Sequence, residues 1–145
     1  GRALKQSGDY ASSYNETLNI AIVRSSPTFV VLEWHQDAHS AESGKPMHRE
    51  SGFIRIETHD TRQRFVASAG FTHSFPAGIL TEICKGTFTG ESLELTARDF
   101  ERTSPGQKKP RSYLRQYSVN ESNVMTYTQY MNDILHLTCE LTRAE

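Results

Sequence analysis

Cysteine is scarce in this chain of 145 residues, which has only Cys84 and Cys139. Neither belongs to a Cys-x-x-Cys pair and both sit in strand-like runs, so two reduced, buried thiols are expected, with a single disulfide between them as the minor alternative. Long hydrophobic runs are also missing. No stretch approaches the ~20 apolar residues of a spanning helix, and residues 1–8 have no uninterrupted apolar core such as a signal peptide carries. The expected setting is soluble and cytoplasmic. Charge of one sign does not accumulate: sixteen Lys and Arg face seventeen Asp and Glu, and the longest basic stretch is Lys108-Lys109-Pro110-Arg111. Nucleic acid and anionic membrane would each select a sustained basic surface, so neither is an expected partner. There is no Gly-rich phosphate cradle, Ser/His/Asp order or paired-carboxylate signature, which leaves kinase and classical hydrolase chemistry without support.

What is present is a period of two. Leu18, Ile20 and Ile22 alternate with Asn19, Ala21 and Val23, and Leu93, Leu95 and Ala97 alternate with Glu94 and Thr96. Further β-branched and aromatic runs cover residues 28–34, 52–57, 64–69, 79–88, 113–119, 123–131 and 134–142, about nine strands in all. Turn-forming clusters such as Ser25-Ser26-Pro27, Ser43-Gly44-Lys45-Pro46, Thr89-Gly90-Glu91 and Asn120-Glu121-Ser122 separate them. Gaps this short have no room for crossover helices, which implies an all-β antiparallel meander. With no composition break, residues 1–145 read as one domain, and an up-and-down barrel closes such a meander without leaving edges. A sandwich is the alternative. Barrels of more than eight strands leave room inside for a ligand.

The segment Pro46-Met47-His48-Arg49-Glu50-Ser51-Gly52-Phe53 closely resembles the Pro-Met-His-x-Glu-x-Gly-Phe signature of the nitrobindins, the haem-binding domain also found in a THAP-type protein. Arg115-Gln116-Tyr117-Ser118-Val119 is similar to the family's Arg-x-Phe-x-Leu strand, and Met131 follows at the distance of its next strand. His136-Leu137 stands where the family carries its iron-ligating histidine, and Tyr14-Asn15-Glu16 resembles its Tyr-x-Glu opening. Two stretches differ from the family: residues 71–77 are longer, and the segment between Met131 and His136 is shorter. The resemblance implies a fatty-acid-binding-like barrel of about ten strands that holds haem b. It further implies His136 as the iron ligand, with Met47, His48, Arg115 and Met131 as haem contacts, and nitric oxide or peroxynitrite as the small partner, the latter isomerised to nitrate.

Each residue also has a plainer reading. His136 would otherwise be a surface histidine at a strand start, and strict alternation puts it on the face opposite Leu135, Leu137, Cys139 and Leu141. Met47 and His48 are adjacent, so both line one pocket only if Pro46 keeps the backbone irregular. His48 would otherwise hydrogen-bond a carboxylate such as Glu50, Met131 would fill core, and Arg115, if not facing a propionate, would be solvated. Trp34-His35-Gln36-Asp37-Ala38-His39 reads as a strand end entering a polar hairpin rather than a metal site, and His59 and His73 read as loop residues. Two other functions compete: a haem-free carrier of a fatty acid or similar ligand, and an interaction domain filled by aromatics such as Phe71, Phe75, Tyr127 and Tyr130. A homodimer is left open as the assembly.

Overall fold

The computed structural model describes residues 2–4, 10–58, 64–75, 78–103 and 108–143. Ten strands follow one another: β1 (Arg2–Leu4), β2 (Tyr10–Ser25), β3 (Phe29–Ser40), β4 (Pro46–Glu57), β5 (Phe65–Phe75), β6 (Gly78–Phe88), β7 (Ser92–Arg102), β8 (Tyr113–Val119), β9 (Val124–Met131) and β10 (Ile134–Thr142). Each pairs antiparallel with its sequence neighbour, and β1 pairs with β10 to close the barrel. The meander expected from the period of two is therefore the fold, and no helix occurs among the described residues. Its closure follows from the short connections, since a sheet of this many strands removes its edges most economically by pairing first with last.

Several strands run further than their hydrophobic patterns suggest. The polar stretch from His35 to Ser40 continues β3 instead of entering a hairpin, held on both sides by β2 and β4. Likewise β5 continues through His73 to Phe75, so His73 is a strand residue and not a loop residue. Ladder pairing on both edges overrides the low strand propensity of these polar residues. His59 lies outside the described residues.

Side chains facing inward form rows across the sheet. One row is Trp34, Gly52 and Phe71, which stand opposite one another on β3, β4 and β5. The Trp34 and Phe71 rings meet edge to face, 6.1 Å between centroids, over the side-chain-free Gly52. A Cβ at Gly52 would collide with the Gly70 carbonyl oxygen and with Phe71, which is why the signature requires glycine there. The next row is Gln36, Glu50 and His73, all buried. Phe71, Tyr117 and Tyr127 fill the middle of the barrel, with the last two rings stacked at 4.6 Å. Cys84 and Cys139 are buried and unpaired.

Candidate functional site

A cavity of about 250 Å³ occupies the end of the barrel where β4, β8 and β10 begin and β3, β5 and β9 finish. Met47 and His48 line it together from β4. Their neighbours on β3 explain how: His39 pairs with Pro46 and Ala38 with His48, so Met47 is an extra, bulged residue. The irregularity required for both side chains to share the pocket is thus a β-bulge directly after Pro46.

The same device presents His136. Leu135 pairs with Tyr130 and Leu137 with Gln129, which makes His136 the bulged residue of β10. His136 and Leu137 therefore both line the cavity, and strict alternation resumes beyond them, with Cys139 buried and Glu140 exposed. The short segment before His136 is a two-residue hairpin turn in which Asn132 and Asp133 have φ of 53° and 69°. Left-handed conformations at both positions suit Asn and Asp and match the twist of a tight hairpin. Asn132 Oδ1 also accepts from the Arg111 backbone N–H at 2.7 Å, tying this turn to the entry of β8.

The remaining walls are Tyr14 and Glu16 of β2, His73 and Phe75 of β5, Tyr113 of β8 and Gln129 of β9. His48 and Phe75 stack at 4.9 Å, and the His73 ring is 2° from parallel to Phe75 at 5.8 Å, giving one side of the cavity a flat aromatic wall. Burial dominates the electrostatics here. It lowers the pKa of His48 to about 4, and it raises that of Glu16 to about 7, against a hydrogen bond from Gln36. Burial and the Glu82 charge push Tyr113 up to about 12.

Beneath the cavity lies a buried ion network. Arg115 is completely buried and does not line the cavity: its Nη1 and Nη2 donate to the two oxygens of Glu50 at 2.8 Å each, and Nη2 reaches Glu82 Oε1 at 2.6 Å. Its guanidinium stands 4.7 Å from the Phe71 ring centroid. Arg115 is thus neither solvated nor placed at the cavity; two carboxylates, Glu50 on β4 and Glu82 on β6, have drawn it into the barrel. Burial alone would raise Glu82, but Arg115 and His73 hold it at about 2. Met131 is also away from the cavity lining, half-buried against the core beside Tyr113. His35 and Asp37 face outward, Asp37 paired with Arg49.

Glu82 and Tyr113 were not singled out from the sequence, and His73, Glu16 and Phe75 were named there but not as site residues. A signal for His73 was present in Phe71-Thr72-His73-Ser74-Phe75, where alternation puts the histidine on the same face as two phenylalanines. In the structure that face is the interior.

Two comparisons bear on this arrangement. A 111-residue stretch is 33% identical to "Peroxynitrite isomerase 1" of Rhodococcus jostii (strain RHA1), covering 76% of this chain and 57% of that protein. The chain thus spans a little over half the length of that relative. The model of the THAP4-like, heme-binding beta-barrel domain matches residues 4–143. With the barrel and nearly the whole chain in agreement, this protein belongs to the nitrobindin family of haem-binding β-barrel domains.

Proposed function

We propose that the cavity binds ferric haem b through His136, and that the loaded protein binds nitric oxide and converts peroxynitrite to nitrate. The observation that carries this reading is the bulge at His136, which turns an imidazole into an otherwise largely apolar cavity next to Leu137. The surroundings suit a flat macrocycle: Met47 and Leu137 offer apolar contact, and the His48–Phe75 stack offers a planar wall. A cavity of about 250 Å³ encloses only part of a macrocycle, so the propionates would project through the mouth into solvent.

Bound through one imidazole, ferric haem would supply an open Lewis-acid position for nitric oxide or a peroxo oxygen. The chain's own contribution is environmental. His48 is kept neutral by burial, so it offers a polar contact without a competing positive charge. Arg115 acts at one remove: it fixes Glu50, and Glu50 and His73 in turn back His48. No side chain here is required as an acid or base for a rearrangement that neither gains nor loses a proton.

The test is stopped-flow decay of peroxynitrite with the hemin-loaded protein. Accelerated decay with nitrate as the product is expected. Decay equal to that in buffer, with haem bound, would leave a binding role only.

A further inference from the structure

Charge and proton counting at the cavity floor leave something unaccounted for. Glu50, Glu82 and Arg115 are almost entirely removed from solvent, and two carboxylates facing one guanidinium leave an excess negative charge inside the barrel. Buried charge of this kind is normally compensated. Arg115 Nη2 has two N–H bonds, and Glu50 Oε2 at 2.8 Å and Glu82 Oε1 at 2.6 Å take both. His73 Nε2, 3.1 Å from the same Nη2, therefore carries its own proton and directs it at Glu82 Oε1, 3.5 Å away.

With Nε2 committed to its proton, the atom of His73 left to bind a metal is Nδ1, once it is unprotonated. That atom faces Glu50 Oε2 at 3.1 Å and His48 Nε2 at 2.8 Å, while His48 Nε2 is 3.9 Å from the same carboxylate oxygen. Three electron-pair donors thus converge, with at most the one proton of a neutral His48 between them. The geometry points to a divalent, zinc-class metal ion held by His48 Nε2, His73 Nδ1 and Glu50 Oε2 at the floor of the cavity.

The dimensions agree. The circle through atoms separated by 2.8, 3.1 and 3.9 Å has a radius of about 2.0 Å, so an ion at the ~2.1 Å typical of zinc ligands would sit just off their plane. Two imidazoles and one carboxylate make a ligand set that suits zinc and leaves a further position open. His48 and His73 both line the cavity, so that position would open into it. The supporting contacts are those a metal ligand needs: His73 Nε2–H is aimed at Glu82, and Glu50 is held by Arg115. This site shares His48 and the cavity with the haem reading, but it rests on Glu50 and His73 and not on His136.

The test uses the full chain, free of haem and treated with chelator, titrated with Co²⁺ and then Zn²⁺. One equivalent of Co²⁺ should bind and develop the visible bands of a four- or five-coordinate ion, and Zn²⁺ should displace it. His73→Leu and His48→Gln should each weaken binding at least about tenfold. His48→Gln serves as the second variant because it leaves the Arg115 network untouched should His73→Leu fail to fold. His136→Ala should leave Co²⁺ binding unchanged, so a failed haem assay and a failed metal assay remain distinguishable. Absence of stoichiometric Co²⁺ binding by the parent would overturn the inference. Binding indifferent to both substitutions would also overturn it, locating the ion at surface histidines such as His35.

Discussion

Replacing Arg115 with leucine should be among the most damaging single changes available, and its cost should depend on pH. The substitution keeps an apolar stem but leaves Glu50 and Glu82 buried without their cation. Glu82 is held at about 2, against an ordinary value of 4.5, chiefly because Arg115 outweighs the burial penalty. At roughly 1.4 kcal/mol per unit, that depression corresponds to about 3 kcal/mol of stability. Because the folded value lies below the unfolded one, this stabilisation is fully present above pH ~4.5 and is lost as pH falls towards ~2. Breaking a buried pair from one side typically costs ~3–5 kcal/mol, which agrees in size. Urea unfolding is conveniently followed through Trp34, the chain's one tryptophan, which is buried 5.0 Å from Tyr117. Arg115→Leu should lose about 3–5 kcal/mol near pH 7 and less near pH 4.5, where the orphaned carboxylates can protonate. Adding Glu50→Gln and Glu82→Gln should recover a substantial part of the loss near pH 7. A loss below about 1 kcal/mol near pH 7, or the same loss at both pH values, would refute the reasoning.

Two other substitutions probe the framework. Glu16→Gln should stabilise the protein by up to about 3 kcal/mol near pH 8 and leave it unchanged near pH 4, because burial raises the folded carboxyl to about 7 and the penalty is absent below its unfolded value; an equal effect at both pH values in the same urea assay would contradict this. Gly52→Ala should cost ~1–3 kcal/mol, since the added methyl meets backbone and the Phe71 ring rather than a flexible side chain; an unchanged urea midpoint would show that β4 and β5 can separate at no cost.

The barrel was legible because its information is local. Alternation and closely spaced turn residues specify strands and their antiparallel order, and β8 and β10 match the expected spans directly. The site was only half legible, because what builds it is the offset between strands. Bulges at Met47 and His136 undo the period of two at the positions where the pocket needs it undone; Pro46 marks the first, but no residue beside His136 marks the second. Arg115 shows the same limit. Its burial depends on Glu50 and Glu82, which reach it across the barrel interior, so its own strand gives no sign of it. His73 was hidden by polar neighbours that resemble loop residues but are the outward half of an alternating strand.

The central claim, that His136 on its bulge is the haem ligand, is tested most directly by hemin titration followed by absorption. The parent should take up one equivalent with the spectrum of an imidazole-ligated ferric haem. His136→Ala should lose stoichiometric uptake while keeping its β-sheet circular dichroism, because the change removes the site's strong directional bond and little packing. His48→Ala should retain haem with an altered spectrum. A normal haem spectrum from His136→Ala together with loss of haem from His48→Ala would contradict the assignment, and failure of the parent to bind hemin would favour a haem-free carrier of a hydrophobic ligand in the same cavity.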